Sequence, residues 1–423
     1  MIRYAEALAH AREAGARHAA QAVRVPLLAA VGRVLAEDVR AREPSPGFDN
    51  SGMDGFAVRV ADLAGASAES PVTLPVRASV AAGDDARAAS VAPGTCAEIM
   101  TGAPIPPGLE AVVRVEDVQV ERDAAGNAVR ATFRAPAARG DDIRPVGEDF
   151  RAGDLVAAAG TVIQPHQIMA LASFGAAEVT VRRPPRVAVI NTGKEVRPFA
   201  AQELAPGQLR NSTGPYLLSA LPLLGAEVLS ATVVGDDPGA LREAISTAVR
   251  AGADLVVTTG AVSAGKHDVV EGVLGTLGAR VVFHKAAVRP GKPVLLAELP
   301  GGPAVLGLPG NPVASIVSTR FLVAPFLRAA LGLPPERLLR AVLAADTKKP
   351  EGLRCFYKAR ITGGPRGLEV APTKGQASAI ISSLLVANGW LVLPEEGSRA
   401  SAGTEVEVAP LLASEPFFSP GVS

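Results

Sequence analysis

The sequence is poor in aromatic residues and in cysteine, and both shortages exclude classes of function. Only 4% of its 423 residues are aromatic, so it has few of the stacking side chains that bind single-stranded nucleic acid. Its two cysteines, Cys96 and Cys355, lie far apart in the chain. They predict neither a disulfide framework nor a metal cluster, which is typical of a protein in the reducing cytoplasm.

Net charge and long apolar runs are also missing. Lys plus Arg and Asp plus Glu number 42 each, so no overall field attracts nucleic acid or a membrane surface. The first residues include Glu6 and contain no apolar signal core, and we therefore expect no export. Apolar stretches such as residues 294–308 are interrupted by proline and glycine before they reach the length of a membrane span. We expect a cytoplasmic protein that binds neither nucleic acid nor membranes.

The residues that are present favour several domains. Hydrophobic residues make up 48% of the chain, enough for more than one core at this length. Residues 4–17 predict an amphipathic helix, and residues 44–181 predict short strands separated by turns, for example at 97–100 and 111–116. Short strands resume after residue 334.

Between these zones, residues 186–331 alternate apolar strands with helix-length segments. The predicted strands are 187–190, 228–234, 255–258, 280–284 and 304–308. The predicted helices lie near 215–224, 238–250, 268–277 and 313–331, with Pro222 expected to kink or end the first of them. This alternation predicts a parallel, doubly wound sheet that binds ligands at the carboxyl ends of its strands.

A glycine-containing turn, Pro309-Gly310-Asn311-Pro312, follows the last of these strands. We expect Gly310 to adopt a backbone angle that other residues resist, Asn311 to cap the next helix and Pro312 to occupy its first position. The unpaired N–H groups of that helix would then favour an anion. Taken alone, the run is explained better by an ordinary strand-to-helix turn, but two similar glycine turns follow earlier strands.

Carboxylates follow three of the predicted strands. Glu195 comes after the turn Asn191-Thr192-Gly193, Asp236 after the second strand, and Asp268 after the third. Because the carboxyl ends of parallel strands share one edge of a sheet, these side chains are expected to converge. Mg²⁺ prefers oxygen ligands that it shares with a substrate phosphate. The alternatives are a helix cap for Asp268 and a solvated loop position for Glu195.

A basic turn, Val288-Arg289-Pro290-Gly291-Lys292-Pro293, lies between the fourth and fifth predicted strands. Its prolines stiffen the loop, and its two cations suit a small oxyanion. A solvated basic turn is an equally good explanation. No histidine shows the spacing of a zinc ligand, so we expect no zinc site.

The ordered set of motifs resembles the molybdopterin molybdenumtransferase family, known as MoeA in bacteria and as the E domain of gephyrin in animals. The matching runs are FDNSGMDGFAV, IMTGAPIPPG, RPVGEDFRAG, NTGKEV, TTGAVSAGKHD, VRPGKPV, GLPGNPV and ANGWLVLPE. They extend from Phe48 to Pro394. Each motif alone is modest, whereas the ordered set is specific.

The resemblance implies a multidomain α/β plus β protein with a central doubly wound molybdopterin-binding domain. That domain would comprise residues 1–22 and 183–333, and a linker and dimer domain would comprise 23–43 and 140–182. A β-rich inserted domain would span 44–139 and a C-terminal β-domain 334–413. It further implies a cytoplasmic homodimer whose active site is shared between the central domain of one subunit and the inserted domain of its partner.

The implied reaction inserts molybdenum from molybdate into adenylylated molybdopterin, with Mg²⁺-dependent release of AMP. The resemblance implies that the catalytic residues are Asp54, Thr101, Glu195, Asp236 and Asp268, of which the last three hold Mg²⁺. It implies molybdopterin and AMP binding by Thr192, Gly193, Gly260, Ser263, Gly265, Pro309, Gly310, Asn311 and Pro312. Arg289 and Lys292 match the family's basic pair linked to molybdate. A molybdopterin adenylyltransferase and molybdoenzyme chaperones are the candidate protein partners.

Several positions depart from the family pattern. The family often has Asp at Lys194, Gly at Ala261, Glu at Lys266 and Arg at Leu353, and it commonly has an aromatic residue at Val269 and Ser at Ala314. The added lysines make the local field more positive, which would strengthen anion binding or weaken Mg²⁺ ligation. These departures support one alternative function, a catalytically weakened molybdopterin-binding scaffold. A second alternative is a molybdopterin adenylyltransferase, which shares the α/β domain but needs neither the inserted region nor the C-terminal domain present here.

Overall fold

The structure is a computed structural model that describes residues 1–261, 269–364 and 367–412. Three six-stranded sheets form its main layers, and most of its helices pack around one of them, the central sheet. The helices are Tyr4–Arg17, Pro165–Ser173, Thr213–Leu223, Pro238–Arg250, Val269–Thr276, Pro312–Ser318 and Ala324–Ala330. The N-terminal helix lies where the sequence predicts it, and the helix with Pro222 inside it ends one residue later.

The central sheet confirms the predicted α/β domain but is mixed rather than parallel. Its strands in spatial order are Glu227–Val234, Arg186–Thr192, Leu255–Thr259, Ala304–Leu308, Leu295–Glu298 and Arg280–His284. The first four strands run parallel to one another, and Leu295–Glu298 runs antiparallel to both of its neighbours, Ala304–Leu308 and Arg280–His284. The prediction of a parallel sheet is wrong at this edge because an additional strand, Leu295–Glu298, links its neighbours by connections too short for a helical crossover.

Helices cover both faces of the central sheet. On one face lie the N-terminal helix, the helix Thr213–Leu223 and the C-terminal helices of the α/β domain. These helices pack on the sheet through residues such as Ala11, Leu217 and Phe326. The other face packs Pro238–Arg250 and Val269–Thr276. At the crossing of the N-terminal helix, a Cβ atom on Gly15 would lie 2.2 Å from the backbone oxygen of Phe326. The two backbones therefore touch where only glycine fits.

Residues Pro312–Ala330 form one continuous helical segment, here called the core helix, with a π-helical turn at Thr319–Val323 between two α-helical parts. By length and composition this segment would suffice to cross a membrane, but 78% of its most apolar window is buried inside the protein. Burial of that kind is what a helix at the centre of a globular domain shows, and such a segment is weak evidence for a membrane span.

Two further sheets flank the central one. The insert sheet, in spatial order, contains Ala111–Arg114, Gly55–Val58, Cys96–Ile99, Val72–Val80, Ala128–Phe133 and Val118–Arg122. The C-terminal sheet contains Val288–Arg289, Arg354–Gly364, Gly367–Pro372, Leu339–Leu343, Glu405–Pro410 and Gly389–Leu393, and its last strand also pairs with Arg354–Gly364. Cys96 and Cys355 are free thiols buried in these two sheets, as the sequence predicts.

Five short strand pairs lie outside the three large sheets in the described residues. These pairs are Ala22–Pro26 with Glu178–Arg182, Val39–Arg40 with Leu155–Ala157, Asn50–Ser51 with Ile143–Arg144, Val196–Arg197 with Leu209–Arg210, and Thr347–Lys348 with Arg399–Ala400. The first pair and the helix Pro165–Ser173 share a small core of their own. This part of the chain links the insert sheet to the central sheet.

Candidate active site

A cavity of about 900 Å³, here called the site cavity, lies at the carboxyl ends of the parallel strands of the central sheet. The turns that follow these strands supply its walls. Predicted site residues among its lining are Thr192, Gly193, Glu195, Asp236, Gly260, Pro309, Gly310, Asn311 and Pro312. The fold thus brings together side chains from four separate strand ends, as a doubly wound topology requires.

A buried hydrogen-bond network ties the first and third of these turns together. Asn191 Nδ2 donates to Thr259 Oγ1 at 2.6 Å, and Thr192 Oγ1 donates to the Thr259 carbonyl at 3.0 Å. Asn211 Nδ2 donates to Asn191 Oδ1 at 3.1 Å. Because these groups are buried and paired with one another, the polar floor of the cavity is rigid before a ligand arrives.

Two of the three glycines in these turns have backbone conformations that favour glycine, and the third, Gly310, does not. Gly193 and Gly260 have φ angles of 132° and 86°, which other residues rarely adopt. A Cβ atom on Gly260 would lie 2.7 Å from Thr192 Oγ1. The backbone of Gly310 is outside this left-handed region, and a Cβ there would lie 3.4 Å from Gly260 Cα. The prediction of an unusual angle at Gly310 is therefore wrong.

The start of the core helix has fewer free hydrogen-bond donors than the sequence predicts. Asn311 occupies the capping position and Pro312 the first helical one, but the Asn311 side chain makes no capping hydrogen bond. The N–H of Val313 donates to the carbonyl of Ser378 at 3.0 Å. Since Pro312 has no N–H, this turn offers fewer donors to an anion than the sequence predicts, because a loop of the C-terminal sheet already uses one.

Two carboxylates face the site cavity. Glu195 is half-buried and Asp236 is exposed, and Asp236 Oδ2 accepts a hydrogen bond from the Lys194 N–H at 3.4 Å. Asp268, Ser263, Gly265 and Lys266 lie outside the described residues. In the described ranges no three His, Cys, Asp or Glu side chains gather as a metal-binding group. Two carboxylates at one cavity nevertheless form an oxygen donor set of the kind that Mg²⁺ prefers.

Two departures from the family pattern lie at this cavity. Lys194 is exposed beside Glu195. Ala261 lines the cavity with a φ of 50°, so an L-residue occupies a conformation in which the family pattern often has glycine. At residue 261 this backbone conformation is therefore adopted without glycine.

Asp54 and Thr101 form a second cluster, on the insert sheet. Asp54 Oδ1 accepts hydrogen bonds of 2.7 Å from both the N–H and the hydroxyl of Thr101. These two bonds, the backbone one first, hold the pKa of Asp54 below its ordinary value. The two loops are also joined through Ser51, whose N–H donates to Ala103 and whose carbonyl accepts from Gly102. Neither Asp54 nor Thr101 lines the site cavity of the same chain.

The basic turn lies beside the site cavity rather than in its wall. Arg289 and Lys292 are exposed, while Pro293, the next residue, lines the cavity. Gly291 packs against the core helix, because a Cβ there would lie 3.2 Å from Ser318 Oγ. Neither cation forms an ion pair with a carboxylate in the described part of the chain. Both charges are therefore available to a ligand or to solvent.

Sequence reasoning missed part of the lining. Asn211, Ser212 and Thr213 form one wall, and their polar run before a helix was a usable signal. Ala379 also lines the cavity. No sequence pattern marks this alanine, since it reaches the cavity only because its loop packs on the start of the core helix.

Three family models match successive parts of the chain. The MoeA N-terminal region (domain I and II) matches residues 2–175, a probable molybdopterin binding domain matches 188–329, and the MoeA C-terminal region (domain IV) matches 340–411. The matches follow the order of the motifs and leave few residues outside.

Individual proteins are similar over nearly the same length. Molybdopterin molybdenumtransferase from Synechococcus elongatus is 41% identical over 396 residues, which cover 92% of this chain and 94% of that protein. Molybdopterin molybdenumtransferase 2 from Mycobacterium tuberculosis is 38% identical over 397 residues, 92% and 95% of the two chains. The crystal structure of a molybdopterin biosynthesis MoeA protein from Pyrococcus horikosii has a TM-score of 0.81 at 31% identity, covering 97% and 99%.

Proposed function

The chain belongs to the molybdopterin molybdenumtransferase family, and from this premise we propose that it inserts molybdenum from molybdate into adenylylated molybdopterin with Mg²⁺-dependent release of AMP. It is a transferase of molybdenum cofactor biosynthesis. The observation that supports the reaction is the site cavity, which combines two carboxylates with glycine turns at three strand ends.

Glu195 and Asp236, together with Asp268, are the carboxylates that would hold Mg²⁺. When bound, the ion offsets phosphate charge during cleavage of the phosphoanhydride. The protein's own contribution is a rigid floor, because the Asn191 and Thr192 side chains already donate hydrogen bonds to Thr259. Such pre-organisation limits the rearrangement needed when the substrate binds.

Arg289 and Lys292 are proposed to bind molybdate. The ion is a dianion, and a guanidinium and an ammonium three residues apart provide two charge-assisted donors. The loop that carries them is stiffened by Pro290 and Pro293 and packed on the core helix at Gly291. Lys292 is adjacent to Pro293, which lines the site cavity. Molybdate bound by this turn would therefore lie at the edge of the cavity proposed to hold the pterin.

Asp54 and Thr101 are proposed to act in the site of the partner subunit of a homodimer. They form a preorganised pair on the insert sheet but do not line the cavity of their own chain. In a homodimer, the site cavity of the second subunit is the simplest one for this pair to complete. A molybdopterin adenylyltransferase is the candidate supplier of the adenylylated pterin.

A turnover assay tests the proposal. The purified protein is given adenylylated molybdopterin, molybdate and Mg²⁺, and AMP and the molybdenum-loaded pterin are both measured. Both products should appear in equal amounts and disappear when Mg²⁺ is chelated. Tight pterin binding without AMP release would instead identify the chain as the scaffold alternative, and AMP release without molybdenum transfer would separate hydrolysis from insertion.

A further inference from the structure

A second cavity of about 660 Å³, here called the arginine cavity, lies between the N-terminal helix, the core helix and the C-terminal sheet. It shares no lining residue with the site cavity. Six arginines line it: Arg12, Arg320, Arg328, Arg337, Arg340 and Arg354. The acidic residues of the lining are Glu13, Glu336 and Glu407, so positive charge is in excess.

Two of the glutamates are already used by particular arginines. Arg320, which is 1% exposed, donates to Glu336 Oε1 at 2.7 Å and to the Pro410 carbonyl. Arg354 donates to Glu407. The Arg320–Pro410 bond joins the core helix to the C-terminal sheet, whereas Arg354 and Glu407 pair within that sheet. A buried arginine such as Arg320 needs partners of this kind.

Arg12, Arg328 and Arg337 form no ion pair within the described ranges, and Arg337 differs from the other two in being exposed. Glu13 lies 3.6 Å from His10. Arg328 donates one N–H to the Pro334 carbonyl, but its buried Nε has no hydrogen-bond partner in the described residues. Burial, reinforced by the nearby cations of Arg320 and Arg12, lowers the pKa of Arg328 even though Glu336 opposes the shift. Among the described residues, Arg12 and Arg328 are thus two partly buried positive charges that form no ion pair with a carboxylate.

The remaining walls of this cavity are apolar. Leu8, Phe321 and Leu338 line it, and the guanidinium of Arg354 lies 5.3 Å from the ring centre of Tyr4. The volume exceeds what an inorganic anion needs, so a ligand that fills it must combine an anionic group with an organic body.

We propose that the arginine cavity binds a small organic phosphate ester, with the phosphate between Arg12 and Arg328 and the organic part against Leu8 and Phe321. Two unpaired guanidiniums match a dianion, and each can donate two parallel hydrogen bonds to phosphate oxygens. A carboxylate carries one negative charge and leaves one arginine unmatched. The apolar walls favour an ester over inorganic phosphate by burying its carbon atoms.

Calorimetric titration of the full chain with three probes tests the proposal. Phenyl phosphate should bind more tightly than inorganic phosphate, which has no organic body, and more tightly than benzoate, which has one charge. Arg12→Gln should weaken phenyl phosphate binding by about tenfold to hundredfold, the usual effect of one charge-assisted contact. Arg328→Gln should do the same if the variant folds. Arg250→Gln, an exposed change on another helix, is the matched control and should bind as the wild type does.

A further variant separates this cavity from the active site. Lys292→Ala, in the proposed molybdate turn, should retain the phenyl phosphate affinity of the wild type. Loss of binding in Lys292→Ala with unchanged binding in Arg12→Gln would place the ester at the basic turn beside the site cavity and overturn the proposal. Benzoate binding as tight as phenyl phosphate would overturn the match to a dianion, and no binding of phenyl phosphate at millimolar concentration would overturn the site altogether.

Discussion

At the scale of single residues, ionisation of Asp54 depends on one neighbour. Thr101 donates both its N–H and its hydroxyl to the same carboxylate oxygen, and these bonds stabilise the charged form. The pKa of Asp54 is therefore lowered, and the side chain stays ionised to a lower pH than an ordinary aspartate does. Exposed as it is, Asp54 is suited to a role at a surface that another subunit covers.

Thr101→Val should shift the acid limb of the pH–rate profile of AMP release to higher pH. The variant loses the hydroxyl donor and keeps the N–H donor, so the pKa of Asp54 rises part of the way to its ordinary value. Activity that needs the carboxylate is then lost earlier as pH falls. Thr101→Ser keeps the hydroxyl and should give the wild-type profile. An unchanged acid limb in Thr101→Val would exclude an ionised Asp54 from the reaction.

Lys292→Ala should raise the molybdate concentration for half-maximal turnover by about tenfold to hundredfold, the typical loss from one charge-assisted contact. The half-saturating concentration of adenylylated pterin should change much less. High salt should weaken the wild type in the same direction, because screening acts on the same attraction. If the molybdate dependence of Lys292→Ala and Arg289→Ala matched that of the wild type, the basic turn would be ordinary solvated surface.

At the scale of elements, the turn after Leu255–Thr259 fits against the turn after Arg186–Thr192 only because residue 260 has no side chain. Gly260→Ala should lower the free energy of unfolding by about 1–3 kcal/mol, since its Cβ meets Thr192 and its φ is positive. Gly310→Ala, in the neighbouring turn, should change stability by less than about 1 kcal/mol because the added Cβ makes an ordinary contact. Denaturant unfolding of both variants measures the difference, and equal losses would contradict it.

The loop 375–380 joins the C-terminal sheet to the site cavity, and Lys358 holds it. Lys358, 1% exposed, donates from Nζ to the carbonyls of Gly375, Ala377 and Ile380. The same loop supplies Ser378, which accepts the Val313 N–H, and the cavity residue Ala379. Lys358 thus positions one wall of the cavity without lining it.

Lys358→Met should raise the half-saturating concentration of adenylylated pterin about tenfold, because three carbonyls lose their donor and the loop shifts. Lys358→Arg should restore most of the affinity. Lys349→Met is the matched control, since Lys349 is also buried and donates to the Glu395 carbonyl away from the cavity. Both affinities are measured well below the melting temperature of each variant. If Lys349→Met weakened pterin affinity as much as Lys358→Met does, the loss would reflect a general effect on the C-terminal sheet.

At the scale of the whole molecule, the separation of the Asp54 cluster from the site cavity makes a dimer prediction. Asp54→Ala and Asp236→Asn homodimers should each have little activity. After subunit exchange at equal concentrations, about a quarter of the wild-type activity should return, because half of the dimers are mixed and each contains one intact site. No recovery after verified exchange would place the whole site within one chain.

The sequence by itself determined the elements and the chemistry of the strand ends. The apolar pattern of residues 4–17 predicts the helix Tyr4–Arg17, which is found with the same bounds, because its spacing repeats with the helical turn. Apolar runs followed by glycine turns likewise located Arg186–Thr192, Leu255–Thr259 and Ala304–Leu308. These features are local, so neighbouring residues suffice to specify them.

Only the tertiary structure decided which distant groups meet. The antiparallel strand Leu295–Glu298 depends on pairing with its neighbours. The Val313 N–H already donates to the carbonyl of Ser378, which lies in a loop of the C-terminal sheet. The arginine cavity brings together Arg12 and Arg328, which are far apart in the chain. Long-range contacts of this kind follow from how layers pack, and no periodicity along the chain encodes them.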